Sequence, residues 1–387
     1  MKAAFDHISR KWLFDTIKLR FPAGENPKLF NILENLYKKT SLTYEEAKTT
    51  FPTTLGVRQG GPESPFLFNL FIDYVMRVFM ERCEKDNDVK FFEHKYRLNS
   101  RSISREERLI MRNLKVSASG TYSLPWCGYA DDLILFMIDL AGLQRVTEIL
   151  DEVFVSFGLS INEQKTETMI INYKYTQSEE YPSSIVTLRN TALNNVKQFK
   201  YLGSYLHHDE PSTGDVEVNH RIQLANVKFA ELSNLLQNFR IKISTRILFF
   251  NSYVRSRLTY SCQNWNLNIN QYEKLDVTYR TFLRRMVRGG FKRLHENEND
   301  FRLKYSNVKI HEICGTKDVS EFIKKQQNSY AGHLIRMNLG RNVMKLTFND
   351  DIYCKSGRPV PSLLEQVVSN NNTTVDAFCN IAISKKK

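Results

Sequence analysis

The chain has 387 residues, enough for two or three domains that each bury a core, and its 42% hydrophobic and 25% charged residues are ordinary for a soluble globular protein. No run of roughly 18 apolar residues exists, which argues against a transmembrane helix, and the charged opening MKAAFDHISRKW argues against a secretory leader. With 55 Lys+Arg against 42 Asp+Glu the formal charge is +13, which favours a polyanionic partner, nucleic acid or an acidic membrane surface. The six cysteines (Cys83, Cys127, Cys262, Cys314, Cys354, Cys379) show no CxxC spacing. They read as free thiols of a reducing compartment, nucleus or cytoplasm, and not as a zinc ribbon or a disulfide framework.

In chain order, AFDHISRKWLFDTIKLR predicts one helix, because Ile8, Trp12, Leu13 and Ile17 recur at helical spacing, with Ser9 or Asp6 to cap it. After the turn FPAGENP a second helix covers Pro27 to Lys39. GGPESP breaks the chain ahead of a strongly apolar helix, Phe66 to Arg82. Glu84 to Gly120 turns polar and basic and reads as a surface insertion with a short hairpin at Val89 to Leu98. LPWCGYADDLILFM then sets two carboxylates between apolar runs, followed by an amphipathic helix from Leu140 to Phe157 that Gly158 stops. Strands are expected at Met169 to Asn172, Ile185 to Leu188 and Val196 to Leu206. The linker HHDEPSTGD, residues 207 to 215, precedes a mostly helical remainder. There Ile222, Ala225, Phe229, Leu232, Leu236 and Phe239 give one apolar face.

Adjacent side chains of a regular strand point to opposite faces, so Asp131 and Asp132 reach one site only if the chain turns there. A hairpin presenting two carboxylates suits a hard divalent cation such as Mg²⁺, as in two-metal phosphoryl transfer; the plainer alternative is a solvated turn. Asp350–Asp351 lacks flanking strands and reads as surface. TLGVRQGGPESPFLFNLFIDYVMR places Arg58 and Gln59 before two glycines and a helix, where backbone can approach a ligand and a helix N-terminus favours phosphate.

GVRQGGPESPFLFNLF, GYADDLILF, FGLSINEQKTETMIIN and FKYLGSYL resemble, in order and spacing, successive motifs of the reverse transcriptases of non-LTR (LINE-like) retrotransposons. The resemblance covers about Thr54 to Leu206; RSRLTYSCQNWNL, FLRRMVRGG, GHLIRM and GRP extend it weakly toward the C-terminus. It implies an α/β (α+β) fold with a right-hand polymerase palm carrying an antiparallel sheet at residues 1–206, and a mainly helical thumb and C-terminal region at 207–387. The implied activity is RNA-directed DNA synthesis by two-metal nucleotidyl transfer with Mg²⁺ or Mn²⁺, an RNA template, a DNA primer and deoxynucleoside triphosphates. Asp131 and Asp132 of the YADD motif would hold metal, and Lys165 would sit by the triphosphate. Phe5, Arg58, Gln59, Gly60 and Tyr129 would bind the nucleotide, with Phe5 blocking a ribose 2′-hydroxyl and Tyr129 abutting the primer end. The chain departs from the pattern at Gly61 and Glu63, and the Asp that precedes the first-motif AFD in the family would fall just before Met1. On that pattern this is a palm truncated at its start, with impaired activity, because one carboxylate pair under-neutralises two metal ions. The rival expectation is a non-catalytic nucleic-acid-binding remnant.

Plotted as a helix, Gln271 to Gly290 puts Leu275, Tyr279, Phe282, Leu283 and Met286 on one face, and Lys274, Arg280, Arg284, Arg285 and Arg288 on the other. That basic face is either simply solvated or an unpaired charge row that tracks phosphates. His207 and His208 read as surface, His333 as a buried or capped histidine, Trp126 and Trp265 as core, and Lys385 to Lys387 as too short for a nuclear signal.

Overall fold

The computed structural model describes residues 1, 4–20, 27–38, 40–44, 49–97, 119–171, 181–209, 214–288, 291–293, 301–303, 305–337, 363–374, 377–378 and 381–382. Outside these lie most of the basic insertion, the centre of the 207–215 linker, Gly289–Gly290, Asp350–Asp351, the GRP motif, Cys354, Cys379 and the terminal lysines. The fold is a mixed α/β one with small two-stranded sheets. It divides into one unit of Met1–His94, Ser123–Met169 and Tyr175–Val196, and another of Lys95–Tyr122, Ile170–Lys174 and Lys197–Lys387.

In the first unit the opening helix is broken into α1 (Ala4–His7) and α2 (Arg10–Arg20). The break has a physical cause: the carbonyls of Phe5 and Ile8 accept from Val57 and Gly56, both at 2.8 Å, so they serve a distant loop instead of the helix ladder. Helix α3 (Pro27–Lys38) leads into the antiparallel pair β1 (Thr40–Tyr44) and β2 (Thr49–Thr53), in which Thr40 faces Thr53. Helix α4 (Ser64–Cys83) buries Leu67, Phe68, Phe71, Ile72, Val75, Met76 and Phe79, and packs on α2 and on α5 (Leu140–Ser156). Asp139 starts α5 by accepting the Gly142 N–H at 2.6 Å, and the chain leaves the helix through Phe157 and Gly158 as expected. Phe157 presents its ring to Trp12 (5.0 Å), Tyr74 (5.9 Å) and Phe71 (6.2 Å), which ties the three helices at one point.

Against this core lies the hairpin β3 (Trp126–Tyr129) and β4 (Asp132–Leu135), paired Trp126↔Leu135 through Tyr129↔Asp132. Trp126, Leu133 and Leu135 pack on the core, so the alternate residues Cys127, Tyr129 and Asp132 face away from it. Three strand expectations shift. Val89 to Leu98 yields one strand, Phe92–Arg97, where a hairpin was expected. The pairing expected at Met169 falls instead on Glu167–Thr168, parallel to Asn194–Asn195, and only Thr187–Leu188 of the third segment is a strand. Polar residues carry the pairing of Glu167–Thr168 with Asn194–Asn195, where the apolar run beside it gave the signal.

The main segment of the second unit, Lys197–Lys387, starts with the hairpin β5 (Gln198–Tyr201) and β6 (Ser204–His207), turned through Leu202 and Gly203, both at positive φ (47° and 85°). It is clamped to helix α6 (Asp215–Glu231). Glu217 accepts the Tyr205 N–H (2.9 Å) and pairs with Arg221 (2.7 Å), while Arg221 donates to the Gly203 carbonyl and lies over the Tyr260 ring (4.6 Å). Tyr260 in turn donates to the Leu202 carbonyl at 2.8 Å. The expected continuous apolar face ends with α6: Leu236 is buried from a separate turn, Ser233–Leu236, and Phe239 is exposed. Helix α7 (Ile269–Val287) is the centre of this core, with Phe282 stacked on Phe229 (4.9 Å) and Leu275, Tyr279, Leu283 and Met286 fully enclosed. Trp265 is buried as expected; His333 is exposed in the last turn of the helix Val319–Ile335, which corrects the buried alternative of its reading as a buried or capped histidine. Among the described residues no helix is long and apolar enough to cross a membrane, and Cys83, Cys127, Cys262 and Cys314 are free thiols.

The side chains of Glu217 and Arg221 are only 4% and 5% exposed, so loss of one partner strands a buried charge. Glu217→Ala should lower stability by about 3 kcal/mol or more in urea unfolding. Glu312→Ala, at the exposed pair with Lys309, should change it by less than about 1 kcal/mol.

Candidate functional site

The Asp131–Asp132 pair lies at a two-residue hairpin turn: Ala130 and Asp131 form the tip, and Asp132 opens the return strand facing Tyr129. Ala130 adopts φ 52°, the left-handed conformation such a turn demands, at a cost of roughly 1–2 kcal/mol for a residue with a Cβ. This strain is what lets adjacent carboxylates share one end of the hairpin. Asp131 is half-buried and Asp132 exposed, and among the described residues neither is held in an ion pair. Tyr129 is 67% exposed beside them. The Met1 amino group donates to the Asp131 carbonyl at 3.1 Å.

The loop before α4 is built around Gly56. Its φ is +77°, and a Cβ there would lie 2.8 Å from the Asp6 carbonyl oxygen and 2.9 Å from the Asp6 Cα. Only glycine allows the loop to lie against residues 5 and 6. Arg10 fixes it from the other side, donating from Nε to the Gly56 carbonyl (2.9 Å) and from Nη1 to the Thr53 carbonyl (2.7 Å). Beyond Val57 the Arg58 N–H donates to the Tyr37 hydroxyl (3.3 Å), and the Ser64 hydroxyl donates to the Arg58 carbonyl (2.6 Å). Arg58, Gln59 and Gly60 are thereby exposed at the start of α4, and Gln59 donates to Asp6 at 2.8 Å. Sequence reasoning reads Asp6 only as a helix cap and does not single out Gly56 or Arg10; their partners lie 27 to 53 residues away, beyond any local pattern.

One short segment ties these two features together. Met1 meets the hairpin tip and Asp6 meets Gln59, and five peptide links hold their Cα atoms within about 18 Å. Phe5, on the same segment, stacks on the buried Phe68 at 4.0 Å. The structure thus brings Phe5, Arg58, Gln59, Gly60, Tyr129, Asp131 and Asp132 to one region of the first unit. Lys165 is exposed on the turn Glu163–Lys165, and no described side-chain contact links it to that region.

In the second unit the basic row on α7 needs correction. Arg280 is 9% exposed and paired with Glu273 and Asp318, each at 3.0 Å, so it is a structural cation and not part of a free charged face. Its partner Asp318 comes from a later helix, which helical plotting of α7 alone does not reveal. Arg284 is half-buried and donates to Asn307, and burial draws its pKa down. Lys274, Arg285 and Arg288 remain exposed, with Arg285 over the Phe229 ring (4.4 Å) and Arg288 over that of Phe239 (3.9 Å). His208 is also not at the surface: it is 2% exposed, with Nδ1 2.8 Å from Asp209.

Gly56→Ala should cost about 2 kcal/mol or more of stability, because it meets both a left-handed φ and a backbone clash. Urea unfolding followed by tryptophan fluorescence checks this, with Gly315→Ala, where a Cβ meets open space at φ +61°, as the strain-only comparison.

A model of the reverse transcriptase (RNA-dependent DNA polymerase) family matches residues 1–206. Over 217 residues the chain is 27% identical to an uncharacterized transposon-derived protein of Caenorhabditis elegans, a match covering 55% of this chain and 72% of the relative. It is 26% identical over 208 residues to a retrovirus-related Pol polyprotein from a type-2 retrotransposable element of Drosophila melanogaster. That match covers 52% of this chain and 16% of the polyprotein.

Proposed function

Because the chain belongs to the reverse transcriptase family, whose members are RNA-directed DNA polymerases, we propose that it is the polymerase part of a non-LTR retroelement protein. The reading assigns a palm to residues 1–206 and a helical thumb and C-terminal region to 207–387. The observation that carries it is the strained turn that presents the half-buried Asp131 and the exposed Asp132 without ion pairs, with Met1 bonded to the tip and Asp6 bonded to Gln59 of the Arg58–Gly60 loop.

The donor set fits a hard cation: two adjacent carboxylates, not engaged by any described Lys or Arg, at an exposed tip. Asp131 and Asp132 would hold Mg²⁺ or Mn²⁺, which when bound supplies charge neutralisation for a triphosphate and a lowered pKa for the primer hydroxyl. Tyr129 would support the primer end. The first N–H groups of α4 and Arg58 would take phosphates, Gln59 and Gly60 would line the nucleotide, and Phe5 would limit the space at its sugar. Lys165 is assigned to the triphosphate by family pattern alone. An RNA template and DNA primer would lie along Lys274, Arg284, Arg285 and Arg288, contacts that are insensitive to sequence and weakened by salt.

A second reading, a nucleic-acid-binding remnant without catalysis, is favoured by one observation. Among the described residues no third carboxylate, histidine or cysteine joins Asp131 and Asp132. The two readings part on divalent-ion dependence.

In a primer-extension assay on an RNA template, incorporation should require Mg²⁺ or Mn²⁺ and vanish in Asp131→Asn, while template–primer binding persists. Equal incorporation by the variant overturns the site, and binding without any extension supports the remnant. For the thumb assignment, Arg285→Ala and Arg288→Ala should weaken template–primer binding and each reduce its logarithmic salt slope by about one. Arg280→Ala should lower stability instead.

A further inference from the structure

We propose that Asp6 is a positioning residue: it holds the Gln59 side-chain amide by its nitrogen, so that the amide oxygen faces the nucleotide and reads a hydrogen-bond donor on the sugar or base. The inference rests on the polymerase reading above and adds what Gln59 recognises. The Gln59 Nε2 donates to the Asp6 carboxylate at 2.8 Å. A carboxylate offers only acceptors, so it selects the NH₂ end of the amide and leaves Oε1 as the unengaged end. Triphosphate oxygens carry no donor at neutral pH and are repelled by an amide oxygen. The groups left on a deoxynucleoside triphosphate that can donate are the sugar hydroxyl and the base N–H groups.

A hydrogen bond between two exposed side chains is readily lost to water unless the backbones beneath it are fixed. Here they are fixed twice. Val57 donates to the Phe5 carbonyl and Gly56 to the Ile8 carbonyl, both at 2.8 Å, and these bonds bracket Asp6 in sequence. Gly56 lies so close to the Phe5 and Asp6 backbones that any Cβ would collide with them. Asp6 and Gln59 therefore stand opposite each other by construction of the loop, and the side-chain bond requires little further ordering. Work would divide within three consecutive residues: Arg58 takes negative charge, Gln59 takes a neutral donor, and Gly60 leaves room.

The test is a double-mutant cycle on the full chain with an RNA template, a DNA primer and Mn²⁺. In Asp6→Asn the partner of Gln59 can donate as well as accept, so the amide is no longer held one way round. KM for the deoxynucleoside triphosphate should rise about 3- to 10-fold with kcat within twofold, and the thermal midpoint should not move. Asp6→Glu should recover part of the KM. In a Gln59→Ala background the Asp6→Asn change should have no further effect, since Asp6 acts only through Gln59. Titration of mant-dATP with Mg²⁺ gives the same cycle as dissociation constants without turnover. Additive effects in the cycle, or an unchanged KM in Asp6→Asn, overturn the inference while the polymerase reading stands. A wild-type chain that neither incorporates nor binds deoxynucleotide sinks that reading and this inference with it.

Discussion

The geometry of the first unit depends on one guanidinium. Arg10 donates to the carbonyls of Gly56, Tyr37 and Thr53 and to the hydroxyls of Thr40 and Thr53, and lies 5.3 Å from the Tyr37 ring centre. Its partners come from the end of α3, the β1–β2 pair and the loop before α4, three places that the Tyr37 hydroxyl joins only in part, through Arg58 and Ser64. Carbonyls and hydroxyls satisfy its donors without neutralising its charge, and burial accordingly draws its pKa down. A planar fork with five donors can gather three chain segments in this way; a lysine cannot. The Arg58–Gly60 loop is exposed and yet fixed because its anchor residue, Gly56, is gripped by Arg10 on one side and by residues 5–8 on the other.

The hairpin tip follows a related logic. Trp126, Leu133 and Leu135 hold the strands on the core, so the turn has little freedom to relax, and Ala130 carries the left-handed conformation. Backbone strain confined to a rigid, exposed tip that bears two acids is the arrangement expected where geometry serves chemistry before stability.

Much of this was legible in the sequence where the signal is periodic. Helices α3, α4, α5 and α7 lie within a few residues of their expected bounds, since their apolar faces, the starts at Pro27 and Pro65 and the stop at Gly158 are local features. The carboxylate turn was also legible, because two adjacent acids between apolar runs admit few geometries. What was not legible depends on residues distant along the chain. Arg280 looked like one of five free cations until Asp318 was placed against it, and the first helix looked continuous until Gly56 and Val57 claimed its carbonyls. Short strands such as Glu167–Thr168 pair through polar residues that leave no alternating pattern to read.

The clamp on the Leu202–Gly203 turn has a mechanical consequence. Glu217 and Arg221 sit one helical turn apart on α6 and hold the hairpin at two places, Tyr205 and Gly203, while Tyr260 bolts the apex through the Leu202 carbonyl. Strands and helix are therefore obliged to travel as a single lever. Whatever comes to rest on the exposed side chain of Leu202 will feel each tilt of α6 in full, with no slack in the joint.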